Sequence, residues 1–533
     1  MAAKRKFPVG IQSFESLRKD GYLYIDKTPI IYEMISNGKP YFLSRPRRFG
    51  KSLLLSTIEA VFEGKRELFE AFTSENGIEQ PQLFIATTNW KWEKYPVIRF
   101  DFSKCLDYTI DGLRNQIDST LRQYEAKYEL NVDTNDYSIR FERIVMKAHQ
   151  ETGRRAVVLV DEYDTVMLHN LGNKEKEREV RNCFLGLFGV LKSLDEHLQL
   201  VLITGISKFS QMGIFSRLNN LLNISMIDKY DSICGITEEE LLTQMKPDIE
   251  MLAEANGMSY EAQLAELKWK YDGYHFSERQ TDIYNPFSLM NAFETQKVGN
   301  YWFDRGTSSA LIDMLAQMPP IDISRIDGFR LPDTAFDLPL ESFDDPIPIL
   351  YQSGYLTIKS YRRDRNLYTL GFPNNEVRTG FADCLYQHVT NNKPANLSRS
   401  EFLDAYYDFR DDDNLPAFIE AIKTFFASVP YHLDNGNEHH YHALLYTLLT
   451  AFGADVRAEE PSAKGRSDLV LKMSKGIYVM ELKYDDTAEN ALKQIEEKGY
   501  AEKYRLDGRP ITKVGIAFSS VERNITDWKS TVC

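Results

Sequence analysis

Gly50-Lys51-Ser52 closes an eight-residue stretch, Arg45-Pro-Arg-Arg-Phe-Gly-Lys-Ser52. It follows a short apolar run, Tyr41-Phe-Leu43, and precedes a helical pattern from Lys51 to Phe62. That context suits a phosphate-binding loop, in which backbone amides cradle phosphates, the lysine reaches the β- and γ-phosphates and the hydroxyl holds Mg²⁺. Arg48, Gly50, Lys51 and Ser52 are the candidate nucleotide-binding residues, and Ser52 is also a candidate metal ligand. The first position of the pattern, favoured as Gly for backbone reasons, is Arg45. A second run, Ala156-Val-Val-Leu-Val160, ends in Asp161-Glu162. There Asp161 would hold Mg²⁺ and Glu162 would polarise an attacking water. The bland alternative is a buried strand whose end meets solvent. A third run, Leu200–Ile203, ends in Thr204, a polar tip placed to sense the γ-phosphate from between the other two motifs. Taken in that order, the three motifs point to ATP and Mg²⁺.

A second set lies near the end of the chain. Asp468 opens one apolar strand, Lys475-Gly476 turns it, and Glu481-Leu-Lys483 lies in the next. Glu481 and Lys483 are two apart and share a strand face. A hairpin therefore gathers Asp468, Glu481 and Lys483. Two carboxylates and the Leu482 carbonyl make a hard oxygen site for Mg²⁺ or Mn²⁺, and Lys483 would orient the nucleophile for phosphodiester cleavage. Glu438, at the start of a helical run, is a further candidate metal ligand beside Asp468 and Glu481. Gln494 and Lys498, four apart, share one helical face. The alternative is a solvated hairpin with an ion pair. His439, His440 and His442 lack the partners of a zinc site and read as helix-surface histidines, one of them free to help bind phosphate.

The elements that must position these residues are legible in outline. Apolar runs at 41–43, 96–101, 156–160 and 200–203 read as buried parallel strands separated by helices. Thr237-x-x-Glu240 is a capping box opening an acidic helical stretch. The last hundred residues read helix, strand, strand, strand, helix, strand. The fold expected is α/β: a P-loop NTPase domain (1–235) with a parallel sheet, a helical lid (236–310), a connector (311–395) with a polar break at 391–400, and a C-terminal αβββαβ domain (396–533).

The 533 residues, 43% hydrophobic, allow several cores at roughly 100–200 residues per domain. A net charge of −14 excludes a protein coated in positive field. Residues 431–533 carry 14 Lys and Arg against 16 Asp and Glu, so no broad basic platform for duplex is visible. No run approaches the roughly 18 apolar residues of a spanning helix, the N-terminus lacks a secretory apolar core, and the five cysteines are scattered. A cytoplasmic protein without membrane contact is expected.

The segments Phe7–Phe14, Tyr22–Thr28, Arg45–Ser52, Gly213–Asn220 and Tyr271-Asp-Gly-Tyr-His-Phe276, followed by Tyr284-Asn285-Pro286, resemble the AAA-ATPase-like family of bacterial proteins. Gly465-Arg-Ser-Asp468 and Glu481-Leu-Lys483 resemble the PD-(D/E)XK nuclease superfamily, in the domain order of a known fusion family. The resemblance implies a P-loop ATPase joined to a restriction-endonuclease-like domain. It also implies that Arg45 is normal at its position, and that Arg217, where a small residue is expected, is a surface residue rather than an arginine finger. The expected partners are ATP and a nucleic-acid substrate, DNA before RNA. P-loop ATPases often work as oligomers, so a homo-oligomer is admitted. A nucleotide-dependent switch whose nuclease-like domain only binds is the rival reading.

Overall fold

The computed structural model describes residues 5–38, 40–170, 173–207, 220–303, 326–332, 347–389, 396–428, 438–451, 454–462, 464–473 and 475–533. Arg217 lies outside the described residues. Two compact units form, one from residues 1–302 and 330–374, the other from 303–329 and 375–533. Among the described residues no helix is long and apolar enough to cross a membrane.

In the first unit, β1 (Pro40–Ser44) leads through the Arg45–Gly50 loop into α1 (Lys51–Phe62). Next come β2 (Val97–Asp101), α2 (Ile110–Lys127), α3 (Tyr137–Thr152), β3 (Ala156–Asp161), α4 (Lys174–Phe188), β4 (Leu198–Gly205) and β5 (Leu222–Asn223). The strands pair in the order β2-β3-β4-β1-β5, all parallel. β3 is buried along its whole length, as its unbroken Val and Leu run requires of a strand covered on both faces. The order matters for chemistry. β4 lies between the loop-bearing β1 and the acid-tipped β3, so Thr204 does stand between the two motifs.

A helical layer follows in the same unit. Short strands β6 (Ile236–Thr237) and β7 (Ile283–Tyr284) pair antiparallel. Between and beyond them run α5 (Glu238–Gln244), α6 (Lys246–Asn256), α7 (Tyr260–Tyr271) and α8 (Pro286–Thr295). The expected capping box is present: Thr237 and Glu240 each accept the other's backbone N–H. Ile236, Leu241, Ile249, Leu252, Leu267, Tyr271 and Leu289 form the core of this layer. A hairpin of β8 (Thr357–Arg362) and β9 (Leu367–Gly371) completes the unit. His275 ties the Tyr271–Phe276 segment to β8, its backbone N–H donating to Thr357 and its Nδ1 to the Ile358 carbonyl.

The second unit opens with helices α9 (Asn375–Val389), α10 (Asn396–Asp412) and α11 (Leu415–Ser428). Of the polar stretch read as a break at 391–400, the part from Asn396 onward is helical. α12 (Glu438–Ala451) precedes β10 (Val456–Ser462), β11 (Gly465–Lys472), β12 (Ile477–Tyr484), α13 (Ala488–Lys498), β13 (Ile511–Ser519) and β14 (Asn524–Val532). The sheet order is β10-β11-β12-β13-β14, with β12 and β13 parallel and the other pairs antiparallel. α13 lies close on β13: a Cβ at Gly515 would come 2.2 Å from the Ala488 carbonyl oxygen. The αβββαβ order stands, and β14 adds an edge strand to it.

Asp272, in the Tyr271–Phe276 segment, is 3% exposed and its Oδ1 has no hydrogen-bond partner. Burial, reinforced by the nearby Asp282 charge, pushes its carboxyl up to about 7. A carboxyl that titrates higher when folded keeps its proton in the fold where the unfolded chain has lost it. Stability therefore falls as pH rises from the unfolded value near 3.8 to about 7, and stays low above. Unfolding midpoints measured between about pH 4.5 and 7.5 should show a shallower decline in Asp272→Asn than in wild type. Equal slopes would contradict this assignment.

Candidate active sites

The Arg45–Gly50 loop turns on Gly50, whose φ of +91° makes it the left-handed cap of α1. The first-turn amides of α1 have no acceptor within the helix and point their partial positive charge into the loop. Lys51 is 5% exposed; its Nζ donates to the carbonyls of Arg45 (2.9 Å) and Pro46 (3.0 Å). An ammonium has three donors, so one remains for a ligand. Ser52 follows, half-buried in the first turn.

Arg45 does not line the cradle. Its guanidinium is buried and donates to the carbonyls of Ser44, Ser225, Tyr230 and Asp231 at 2.7–3.3 Å. It also stacks on Phe276, 4.2 Å from the ring centre. The departure from the glycine pattern is thus a tether that fixes the start of the loop. Arg48, at φ +67°, stacks on Phe287, and Phe49 packs edge-on against Tyr274 and Phe276.

Opposite the loop, Asp161 is 2% exposed. Its Oδ1 accepts from the Thr204 hydroxyl at 2.9 Å, and its Oδ2 lies 3.6 Å from Arg99, which also holds Glu59 at 2.8 Å. Thr204 is fully buried, with its hydroxyl turned to Asp161. Glu162 sits at φ +51°, an uncommon conformation for a non-glycine residue that turns its side chain off the strand line. Burial raises its carboxyl against the pull of Lys51 and Arg47. Asp164 was not singled out from sequence, although it stands in Asp161-Glu-Tyr-Asp164. It is 1% exposed, its Oδ2 accepts from the Ile206 and Ser207 amides and the Ser207 hydroxyl at 2.6–2.8 Å, and its Oδ1 has no partner.

In the second unit the β11–β12 hairpin pairs Leu469 with Met480, which brings Asp468 beside Glu481. Asp468 Oδ2 accepts from the Leu482 amide at 2.7 Å. Glu481 is 1% exposed; its Oε1 takes Lys483 at 3.4 Å and the Gln494 amide from α13. Its Oε2 is buried without a partner. Burial raises both carboxyls; the Asp468 charge raises Glu481 further and the Glu438 charge raises Asp468, while Lys483 opposes in both. Such a pair calls for a cation, and two carboxylates with one oxygen uncommitted fit a hard divalent ion completed by water. Among the described residues no three His, Cys, Asp or Glu side chains form a ready-made metal cage.

Glu438 begins α12, exposed but near enough for its charge to raise Asp468. His442, expected at the surface, is 3% exposed, and its Nε2 donates to the Asp468 carbonyl at 2.8 Å. The correction has a physical reason: the helix face bearing Tyr441, Leu445 and Leu448 is buried, and His442 goes in with it against β11. Tyr500, buried just past α13, lies 3.5 Å from the Gln494 amide. Nothing in its local sequence marks it. Lys498 is exposed at the end of α13.

Residues 8–215 match the family model described as predicted AAA-ATPase, and residues 436–528 match that of the PD-(D/E)XK nuclease superfamily. The chain is 32% identical over 539 aligned positions to an "Uncharacterized protein in vnfD 5'region" of Azotobacter chroococcum mcd 1, covering 98% of each. The chain belongs to the family that fuses an AAA-ATPase-like module to a PD-(D/E)XK nuclease-like module. Within this family setting, the loop, Asp161 and Glu162 fall in the first module, and Asp468, Glu481, Lys483 and Gln494 in the second.

The Arg45 tether gives a direct test. Arg45→Gly restores the generic pattern but strands four carbonyls that lose a charged donor. A loss of about 3–5 kcal/mol follows from breaking a buried charged network, read as a large drop in the urea midpoint. Unchanged or higher stability would contradict the tether.

Proposed function

We propose that the protein binds and hydrolyses ATP and uses the nucleotide to regulate a metal-dependent nuclease acting on nucleic acid, DNA before RNA. The observation that carries this reading is Glu481: a buried carboxylate with an uncommitted oxygen, beside Asp468 and in reach of Lys483. Such a carboxylate is costly unless a cation meets it. The nucleotide half rests on Lys51, poised with one donor left over.

At the nucleotide site, Lys51 and the α1 amides bind phosphate, while Arg48, stacked on Phe287, packs the loop. Ser52 and Asp161 would hold Mg²⁺, with Thr204 keeping Asp161 in orientation, and Glu162 orients water and receives its proton. At the nuclease site, Asp468, Glu481 and, from the rim, Glu438 would hold Mg²⁺ or Mn²⁺. The ion, when bound, supplies a Lewis acid and a water acidic enough to ionise near neutral pH. Lys483 steadies the nucleophile and the phosphate charge, and Gln494 keeps Glu481 aimed. A specific observation favours the rival switch: basic residues around the hairpin are tied to acids, as in Arg466–Glu459, Lys503–Glu460 and Lys513–Glu496.

Cleavage of plasmid, single-stranded DNA and RNA, with Mg²⁺ or Mn²⁺ and with or without ATP, separates the two. The proposal predicts cleavage that falls about 10²–10³-fold in Lys483→Ala, as for loss of a charge-stabilising group, and that responds to ATP in wild type but not in Lys51→Ala. ATP turnover with no cleavage of any substrate would replace the nuclease by the switch.

A further inference from the structure

Three arginines stand in the loop between β1 and α1, and two are committed to packing. Arg45 is buried among four carbonyls, and Arg48 lies on the Phe287 ring. Arg47 differs. It is half-buried, and among the described residues its guanidinium makes no hydrogen bond, ion pair or ring stack. Its backbone is held instead: the Arg47 carbonyl accepts from Nε1 of the fully buried Trp302 at 3.4 Å. Pro46, the residue before it, gives its carbonyl to Lys51. The guanidinium therefore hangs from a fixed point next to the phosphate-binding lysine. Glu162 faces the charges of both Lys51 and Arg47 across the site.

A half-buried cation that forms no ion pair among the described residues, on a fixed backbone beside a phosphate cradle, is matched by an anion of planar, multiple oxygens. We propose that Arg47 is a further catalytic residue of the nucleotide site, touching the γ-phosphate and stabilising the charge of the transition state from within the loop itself. The inference rests on the nucleotide half of the function proposed above. In the step it serves, a water oxygen bonds to the γ-phosphorus and the bond to the β–γ bridging oxygen breaks. The electron pair leaves with ADP, the water proton passes to Glu162 and then to solvent, and ADP and inorganic phosphate result. Arg47 forms no bond; it compensates charge on the non-bridging oxygens as they separate from ADP. An arginine so placed is supplied in cis, and a single chain suffices for hydrolysis.

The test uses the full chain with Mg²⁺, comparing wild type, Arg47→Ala, Arg47→Lys and Arg48→Ala. Steady-state ATP hydrolysis is measured, together with calorimetric binding of ADP with and without aluminium fluoride, which mimics the transferring phosphoryl group. Loss of a transition-state arginine lowers kcat by about 10³-fold or more. Arg47→Ala should therefore lose kcat on that scale, with KM and ADP affinity within about threefold of wild type. It should also lose the tightening of ADP binding that aluminium fluoride gives wild type. Arg47→Lys, which keeps the charge without the fork, should recover part of kcat. Wild-type turnover with Arg47→Ala within threefold in kcat, or altered in KM alone, overturns the inference and leaves the ATPase reading standing. Wild type that binds no ATP overturns both. Arg48→Ala matching the kcat loss of Arg47→Ala would assign the effect to loop packing and also overturn it.

Discussion

An ionised carboxylate taken out of water costs several kcal/mol unless donors or a cation meet it. Both candidate sites are organised around that constraint. Asp161 and Asp164 lie at the end of β3 with almost no exposed surface, and Glu481 lies equally deep in β12. Every neighbour of note is an answer to these acids: Thr204 and Arg99 on Asp161, two amides and a hydroxyl on Asp164, Gln494 and Lys483 on Glu481. The answers are incomplete. Asp164 Oδ1 and Glu481 Oε2 stay uncommitted, and the Asp468–Glu481 pair repels itself. Incomplete neutralisation at a strand end is the electrostatic condition for holding a divalent ion with its waters.

The two units meet the condition by different architectures. In the first, parallel strands deliver the loop, the acids and the polar tip to one edge, because each strand in such a sheet ends on the same side. In the second, an antiparallel hairpin sets Asp468 against Glu481, and α12 and α13 close in from other parts of the chain. His442 is the link that sequence reading did not see: it fixes the backbone of Asp468 from a helix 26 residues earlier. Arg45 plays the corresponding part in the first unit, joining the loop to residues 225–231 by charge-assisted hydrogen bonds.

What the sequence made legible follows from range. Buried parallel strands announce themselves as continuous apolar runs, so β1, β2, β3 and β4 were readable, as was the α1 span. The hairpin was readable from the period of two and the Lys475-Gly476 turn. The edge strand β14 was not, since Asn524–Val532 is mostly exposed and alternates polar residues without an apolar face. Tertiary partners left no local mark: the Arg45 tether reaches 180 residues ahead and Trp302 reaches back 255 to the loop. His442 was misread as exposed because helical spacing alone does not say how wide the buried face is. Asp164 was within reach, being the third acid in a row of four, but its role depends on Ser207, just past the end of β4.

Direct metal binding reads most closely whether the buried acids hold cations. Calorimetric titration of Mn²⁺ into the metal-free full chain should reveal one site without nucleotide, abolished by Glu481→Gln. A second should appear only with ATP present and be abolished by Asp161→Asn. Absence of binding in wild type, or binding that survives both substitutions, would contradict the account.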